Sequence, residues 1–203
     1  MIKIAITGNI GTGKSTISNI IKAFGFKVFE ADKEVKVAMR QKNLISKIKK
    51  EFQPKVLGLI KYNKIDRKKL GDFIFSDSKE LKKLEDIIHP EIWDRKTKFY
   101  EKNRKEKAVF LDIPLLFEKK LQKKFDYIIY TYVSLKIQKK RVLKRKDMNE
   151  AKFSHIIKNQ NKLKKSQVKF ISLNLNTEQD LEKIQIKIKR FVEKTVNLKI
   201  EVN

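Results

Sequence analysis

Gly8-Asn9-Ile10-Gly11-Thr12-Gly13-Lys14-Ser15 is the stretch of sequence that decides the fold. It fits the pattern G-x-x-x-x-G-K-[ST] of a phosphate-binding P-loop. Ile2 to Ile6, just before it, is short, apolar and β-branched, which is typical of a buried parallel strand. Residues 15 to 24, just after it, carry apolar side chains at helical spacing. Strand, glycine loop and helix are the context that a P-loop requires, so a chance glycine turn is the weaker interpretation.

The residue types of this loop predict its chemistry. Glycines allow a tight turn that exposes backbone N–H groups, and the start of the following helix favours a polyphosphate. Lys14 is expected to reach the β- and γ-phosphates, and Ser15 to hold Mg²⁺ through its hydroxyl. A P-loop by itself does not separate a kinase from a GTPase or a nucleic-acid motor. The predicted nucleotide-binding residues of the loop are Gly8, Asn9, Ile10, Gly11, Thr12, Gly13, Lys14, Ser15 and Thr16.

Length and composition narrow the class of protein. The chain has 203 residues, enough for one α/β domain with a real core, and no cysteine, which excludes disulfides and thiolate metal sites. It shows no signal-peptide layout and no apolar run of membrane-spanning length, so we expect a cytoplasmic protein with no membrane partner. The formal net charge is +26, but the lysines are scattered through nearly every segment. This favours attraction of anionic small substrates over nucleic acid as the main partner.

A second strand is predicted from Phe26 to Phe29, after a helix that ends near Gly25. Glu30-Ala31-Asp32 follows it. Loops after the carboxyl ends of parallel strands line the ligand crevice of an open sheet. Asp32 is therefore expected either to face the ligand of the P-loop or to cap a helix over residues 33–40, and its position alone leaves both interpretations open.

The middle of the chain, residues 42 to 105, is predicted to be mostly helical, with a break from Pro54 to Asn63. Asp77 to Glu80 resembles a capping box, and His89-Pro90 is predicted to end one helix and to begin another. So long an insertion between two strands indicates a substrate-covering subdomain.

The last part of the chain returns to strands. Ala108 to Asp112 is apolar and ends in a carboxylate, which is the Walker B pattern when it lies downstream of a P-loop. Thr177 to Asp180 resembles a capping box for a final helix. We interpret the chain as a single α/β domain, in which helices surround a parallel sheet and further helices are inserted between its strands. Further strands are predicted over 125–133 and 168–173, and helices over 134–146 and 150–165.

Together these motifs resemble the dephospho-CoA kinase family, over nearly the whole chain. Two stretches best distinguish this family from other P-loop proteins: the Ala-Asp after the second strand and Asp-Ile-Pro-Leu-Leu-Phe-Glu. The motifs also occur in the same order as in the family. The stretches that carry the resemblance are Thr7 to Thr16, Glu30-Ala31-Asp32, His89-Pro90, Leu111-Asp112-Ile113-Pro114-Leu115-Leu116-Phe117-Glu118 and Gln138 to Arg145.

The resemblance implies an α/β P-loop kinase fold: a five-stranded parallel sheet flanked by helices, with a helical substrate-binding insertion and a lid. It implies ATP-dependent phosphorylation of the ribose 3′-hydroxyl of dephospho-CoA, which gives coenzyme A and ADP. We expect a monomer or a weak homo-oligomer. The implied single domain covers residues 1–203, with a core of about 1–32, 106–134 and 166–203, a helical substrate-binding region of about 33–105 and a lid of about 135–165.

The resemblance also implies roles for single residues. Asp32 becomes a catalytic carboxylate that orients the acceptor hydroxyl and takes its proton, and Lys14 and Arg141 are catalytic with it. Arg145 is implied to bind ATP, because it lies four residues from Arg141 on one helical face, although a solvated basic face is the alternative. The residues implied to contact dephospho-CoA are Thr7, Asp32, His89, Asp112 and Leu115, with a simple helix-boundary role as the alternative for His89.

Two departures from the family's pattern stand out. Asn9 lies where the family usually has glycine, and asparagine tolerates a left-handed backbone better than most residues. The family has an asparagine near the adenine, and two residues of this chain could match it. If the family's pattern is followed from Gln160 without a gap, Asn176 matches; if this chain has a two-residue deletion, Asn174 matches. Two other functions stay open at this point: another small-molecule P-loop kinase, such as one for nucleoside monophosphates, and a nucleic-acid-binding P-loop protein.

Overall fold

The computed structural model describes residues 1–75, 77–146, 148–160 and 163–197. The chain forms two compact units, Met1–Glu30 with Asn103–Asn203, and Ala31–Lys102. In the described ranges no helix combines the length and the apolar character needed to cross a membrane. In chain order, the helices and strands are β1 (Ile2–Thr7), α1 (Lys14–Ala23), β2 (Lys27–Glu30), α2 (Ala31–Ala38), α3 (Lys42–Phe52), β3 (Ile60–Lys61), β4 (Lys64–Ile65), α4 (Arg67–Phe75), α5 (Ser78–Lys102), β5 (Ala108–Asp112), β6 (Tyr127–Tyr132), α6 (Leu135–Leu143), α7 (Glu150–Asn159), α8 (Lys165–Val168), β7 (Leu173–Asn176) and α9 (Leu181–Val196).

The first unit is built on a sheet of five strands in the order β2-β5-β1-β6-β7. Every neighbouring pair is parallel, so the predicted five-stranded parallel sheet is confirmed. β1 is the central strand, with β5 on one side and β6 on the other. The register pairs Ile6 with Asp112 and Thr7 with Tyr130, so these strands end at the same edge of the sheet. The P-loop starts at this edge.

Alternation along β1 divides its side chains between two hydrophobic cores. Ile4 and Ile6 are fully buried on one face, where α1 and α9 pack against the sheet. Ala5 faces the opposite core, to which Leu116 and Phe117, from the segment after β5, contribute. A strand that is buried on both faces reads as a continuous apolar run, which is the pattern that predicted β1.

The second unit has a core of its own. On α3, Leu44, Ile48 and Phe52 are buried at a spacing of four residues, so the helix presents one apolar stripe. β3 and β4 form an antiparallel hairpin, in which Tyr62 and Asn63 have the positive φ that a tight two-residue turn requires. The sequence did not predict this hairpin, because each strand is only two residues long and shows no alternating pattern.

The predicted start of α5 is confirmed, but its predicted end is wrong. Asp77 Oδ1 accepts a hydrogen bond from the backbone N–H of Lys79 at 2.8 Å, as a capping residue should. The predicted break at His89-Pro90 is wrong, because α5 continues through the proline. A proline removes one helical hydrogen bond. Ile88 before it and Ile92 one turn later pack against the same core, so the apolar stripe continues across the proline and holds the helix together.

The last strand begins later than predicted. Val168, the predicted first residue of that strand, belongs to α8 and is 53% exposed. β7 starts at Leu173 instead, and it alternates between the exposed Asn174 and the buried Leu175. The asparagines of this strand obscured its alternation in the sequence, since asparagine is depleted in strands.

The predicted capping box before the final helix is also wrong. α9 starts at Leu181 with Asp180 as its N-cap residue, and Thr177 lies in the turn that follows β7. The hydroxyl of Thr177 donates to the carbonyl oxygen of Thr12 at 2.8 Å. A tertiary contact with the P-loop therefore replaces the local contact that the sequence predicted.

Candidate active site

The P-loop connects β1 to α1, and three glycines with positive φ shape it: Gly8 (146°), Gly11 (76°) and Gly13 (91°). A Cβ strains the backbone at positive φ, so these turns favour glycine. Asn9 is not among the residues with positive φ. The left-handed tolerance that we invoked for Asn9 is therefore not needed, and its substitution for the family's glycine does not strain the loop.

Two of these glycines also lie against other elements. A Cβ on Gly8 would come within 2.3 Å of the carbonyl oxygen of Thr131 on β6. A Cβ on Gly11 would come within 2.7 Å of Cγ2 of Val142 on α6. Both distances are too short for a real methyl group, so the loop can approach β6 and α6 only because these positions lack side chains.

We expect Gly8→Ala to lower the free energy of unfolding by about 1–3 kcal/mol, because the added methyl would meet backbone that cannot rotate away. Urea unfolding measures this change. Gly71→Ala is the control: Gly71 lies in α4 with nothing within 4 Å of an added Cβ, so alanine there should stabilise by up to about 1 kcal/mol. A Gly8→Ala protein as stable as the wild type would contradict the packing argument.

Lys14 opens α1 and contacts its own loop. Its Nζ donates to the carbonyl oxygens of Gly8 at 2.7 Å and of Asn9 at 3.0 Å. Charged phosphate oxygens bind an ammonium more strongly than neutral carbonyls do, so a polyphosphate can compete for this group. Ser15 and Thr16 are exposed in the first turn of α1, which leaves their hydroxyls accessible at the positive end of the helix.

Asp112, the predicted Walker B carboxylate, is the last residue of β5 and lies opposite Ile6 of β1. It is 8% exposed, and its Oδ2 accepts a hydrogen bond from the Ser18 hydroxyl of α1 at 3.3 Å. Ser18 lies three residues after Ser15 and therefore on the same helical face. The fold thus places a buried carboxylate one helical turn beyond the serine that we predicted to hold Mg²⁺.

Both backbone polar groups of Ile10 are held by glutamines that the sequence did not assign to the site. Gln138 of α6 is buried and donates from Nε2 to the Ile10 carbonyl oxygen at 2.6 Å. Gln160, just after α7, accepts the Ile10 N–H on Oε1 at 2.9 Å. Gln138 belongs to a stretch that carried the resemblance, but a buried glutamine and a solvent-facing one look alike in sequence. Nothing in the sequence around Gln160 indicated its contact with the P-loop.

Arg141 of α6 points to the turn after β7. Its Nη1 donates to the hydroxyl of Thr177 at 2.8 Å, and its Nη2 donates to the Thr177 carbonyl oxygen at 2.7 Å. Arg145 lies beyond the end of α6 at Leu143 and is exposed. The prediction that both arginines share one helical face is therefore wrong. The run from 144 to 146 has no apolar side chain that would bury a further turn.

The two candidate asparagines both lie in β7. Asn174 is exposed, in the middle of the strand. Asn176 is half-buried at the carboxyl end, where its Oδ1 accepts the N–H of Glu178 at 2.9 Å. Asn176 directly precedes Thr177, which contacts the P-loop, so it lies at the edge of the sheet where the loop starts.

A crevice opens beside the start of the P-loop. Burial raises the pKa of Tyr130, and the nearby charge of Glu118 raises it further, so the phenol in this crevice stays neutral. Thr7, predicted to touch the substrate, lies at this crevice, and Leu115 is half-buried in the segment that forms one wall. The residues that line it are Thr7, Gly8, Asn9, Pro114, Phe117, Glu118, Tyr130, Leu163 and Gln167.

The other predicted site residues belong to the second unit. α2 begins at Ala31, directly after β2, so Asp32 lies inside the first helical turn and is exposed. It does not cap a helix over 33–40, because the chain passes from strand to helix without an intervening residue. His89 is exposed in the middle of α5, so its alternative role at a helix boundary is wrong as well.

Comparisons with known proteins agree with these features. The family model described as dephospho-CoA kinase matches residues 2–180. A relative from Bartonella quintana, named dephospho-CoA kinase, is 40% identical over 183 residues, which cover 88% of this chain and 90% of the relative. The matched range of the family model runs from the start of β1 to the residue before α9, and so includes the P-loop, Asp112 and Arg141.

Solved structures support the same assignment. The structure of TT1252 from Thermus thermophilus is 30% identical, with a TM-score of 0.77 over 96% of this chain and 97% of that one. The dephospho-CoA kinase from Campylobacter jejuni is 25% identical, with a TM-score of 0.63 over 95% of this chain and 96% of that one. The likeness therefore extends over nearly the whole length of both solved chains.

Proposed function

The chain belongs to the dephospho-CoA kinase family, and from this premise we propose that it transfers the γ-phosphoryl group of ATP to the ribose 3′-hydroxyl of dephospho-CoA. The products are coenzyme A and ADP, so the reaction completes coenzyme A biosynthesis. The observation that carries this function is the family match over residues 2–180. It favours this function over the two others that the sequence left open.

The P-loop is proposed to bind the triphosphate of ATP. Its glycine turns and the start of α1 present backbone N–H groups and a positive dipole end to the phosphates. Lys14 would exchange the carbonyl oxygens of its own loop for phosphate oxygens and neutralise charge that develops during transfer. Asn176, rather than the exposed Asn174, is proposed to lie near the adenine, because it adjoins the turn that touches the loop.

Mg²⁺ fits the oxygen atoms beside the P-loop. The Ser15 hydroxyl is exposed, and the buried Asp112 carboxylate lies next to Ser18, one turn along the same helix. Hydroxyl, carboxylate, phosphate and water oxygens are the ligands that Mg²⁺ takes. We propose that Ser15 holds the ion and that Asp112 borders it. When bound, the ion offsets negative charge on the transferred group.

The acceptor side is proposed to depend on Asp32. The 3′-oxygen forms a bond to the γ-phosphorus, the bond from this phosphorus to the bridging oxygen of ADP breaks, and the hydroxyl proton goes to the Asp32 carboxylate. Asp32 and His89 are exposed, and therefore accessible to a substrate. The other residues proposed to contact dephospho-CoA are Thr7, His89, Asp112 and Leu115.

We also propose a division of the chain into functional regions, a place of action and a role for the net charge. Residues of about 33–105 bind the acceptor and residues of about 135–165 form a lid, within a single kinase domain. The protein works in the cytoplasm, as a monomer or a weak homo-oligomer. The net charge of +26 serves to attract its two polyanionic substrates, and nucleic acid is not the main partner.

A coupled assay for ADP tests the function. We expect ADP release when ATP and Mg²⁺ are supplied with dephospho-CoA, and little release without the acceptor. Nucleoside monophosphates serve as a comparison panel. Release with a monophosphate but not with dephospho-CoA would replace the proposed acceptor. A salt-dependent shift of DNA or RNA without acceptor-dependent ATP use would overturn the kinase function itself.

Arg141→Ala is expected to lower kcat by about 10–100-fold, because a charge-assisted contact with phosphate is lost. The thermal midpoint should fall by only a few degrees, since the protein retains its cores. Arg190→Ala is the control, because it removes an exposed guanidinium from α9. Full activity of Arg141→Ala would contradict a catalytic role for this arginine, and extensive unfolding would indicate a structural one.

A further inference from the structure

We propose that Thr177 is a positioning residue that fixes Arg141 against the P-loop and so prepares the site for ATP. This inference deepens the proposed function and rests on it for the identity of the nucleotide. Thr177 follows β7 directly and is only 6% exposed. Neither the P-loop pattern nor the resemblance pointed to it.

All the polar groups of Thr177 are used, and they join four parts of the fold. Its N–H donates to the carbonyl oxygen of Tyr132, the last residue of β6, at 3.0 Å. Its carbonyl oxygen accepts from Arg141 Nη2 at 2.7 Å. Its hydroxyl accepts from Arg141 Nη1 at 2.8 Å and donates to the carbonyl oxygen of Thr12 at 2.8 Å. A hydroxyl can both donate and accept, so this one links the guanidinium to the P-loop in a single chain.

The same residue packs against the loop at one of its glycines. A Cβ on Gly13 would lie 3.0 Å from the Thr177 hydroxyl oxygen and 3.3 Å from its Cβ. Thr177 therefore hydrogen-bonds the peptide between Thr12 and Gly13 and fills the space where a side chain at Gly13 would lie. This peptide immediately precedes Lys14, so displacement of Thr177 would move the phosphate-binding segment.

The next residue attaches the same turn to the start of α6. Glu178 accepts the backbone N–H of Ser134, the N-cap residue of that helix, on its carboxylate. This hydrogen bond lowers the pKa of Glu178, so the carboxylate stays charged at neutral pH. The turn thus holds α6 at its N-cap residue through Glu178 and near its end through Thr177.

Fixing Arg141 matters because arginine is long and loses much rotational freedom when it binds a ligand. A guanidinium has more N–H donors than the two that Thr177 takes, so the held side chain can still bind phosphate oxygens. If Thr177 orders the Arg141 side chain before ATP arrives, ATP binding does not have to offset this loss of rotational freedom. Without the hydroxyl, Arg141 should sample several rotamers, and ATP should bind more weakly.

Binding of N-methylanthraniloyl ATP, without any acceptor, tests the proposal. We expect Thr177→Val, which keeps the shape but removes the hydroxyl, to raise the Kd by about tenfold. Thr177→Ser, which keeps the hydroxyl, should stay within about twofold of the wild type. Should the valine variant fail to fold, Thr177→Ala removes the hydroxyl without adding bulk and carries the same expectation.

Thr195→Val is the matched control. Thr195 of α9 donates its hydroxyl to the carbonyl oxygen of Phe191 at 2.8 Å, away from the P-loop, so its loss should leave the Kd unchanged. A wild-type Kd for Thr177→Val overturns the proposal. The proposal is also overturned if Thr177→Ser binds the nucleotide as weakly as Thr177→Val does. The methyl group, and not the hydroxyl, would then be responsible for the change in Kd.

A double-mutant cycle with Arg141→Ala tests the coupling itself. If Thr177 acts through the guanidinium, Thr177→Val should change the Kd by less than about threefold once Arg141 is absent. A full tenfold effect in that background contradicts the coupling to Arg141. Because no acceptor is present, these results are independent of whether the wild type phosphorylates dephospho-CoA, which the ADP assay decides separately.

Discussion

Lys14→Ala is expected to lower kcat/KM by about 10²–10³-fold, in line with the loss of one positioned charge-stabilising donor. Lys14 supplies the ammonium of the P-loop, and its Nζ already lies against the loop, 2.7 Å from the Gly8 carbonyl oxygen. During transfer this ammonium would face the β- and γ-phosphates, where negative charge shifts as the bond to ADP breaks. ADP release in the presence of dephospho-CoA and Mg²⁺ measures the effect.

The fold should survive this substitution, because Lys14 is half-buried at the start of α1 and does not belong to a hydrophobic core. A thermal midpoint close to that of the wild type checks this. Lys194→Ala, on α9, is the control for the loss of one positive charge from a protein of net charge +26. Turnover of Lys14→Ala within a few-fold of the wild type would refute the assignment of the loop as the ATP site.

Asp32→Asn is expected to lower phosphoryl transfer by about 10²–10⁴-fold, the range that a general base supplies. Asparagine keeps the size of the side chain but cannot accept the proton of the 3′-hydroxyl. ATP binding belongs to the P-loop and should change little. Single-turnover formation of coenzyme A measures transfer, and binding of N-methylanthraniloyl ATP measures the affinity for the nucleotide.

In the competing interpretation, Asp32 only stabilises helix α2 and takes no part in the reaction. Its carboxylate lies in the first turn of α2, where a negative charge stabilises the helix dipole. That role predicts a small loss of stability and normal transfer. Glu34→Gln is the matched control, since Glu34 lies in the same turn and accepts from Arg95 Nη1 at 2.9 Å. If Asp32→Asn and Glu34→Gln behave alike, with near-normal kcat, Asp32 is not the catalytic base.

Much of this fold could be predicted because its signals are local. The glycine loop between an apolar strand and a helix placed β1 and α1, and five residues ending in Asp112 placed β5. The predictions of helix and strand boundaries were wrong where tertiary packing overrode a local signal. Pro90 does not break α5, because Ile88 and Ile92 continue one buried stripe on both sides of it.

The sequence by itself determined the P-loop with its flanking strand and helix, because apolar periodicity and turn chemistry act between near neighbours in the chain. The family and its five-stranded parallel sheet followed from the resemblance of the motifs and their order. Only the tertiary structure decided what holds the loop. Thr177 lies 165 residues from Thr12, and Gln160 lies 150 residues from Ile10. Such contacts leave no pattern in the sequence, since a buried threonine or glutamine has the same letter as a solvated one. They exist only because the sheet order places β1 and β6 side by side, with β7 next to β6.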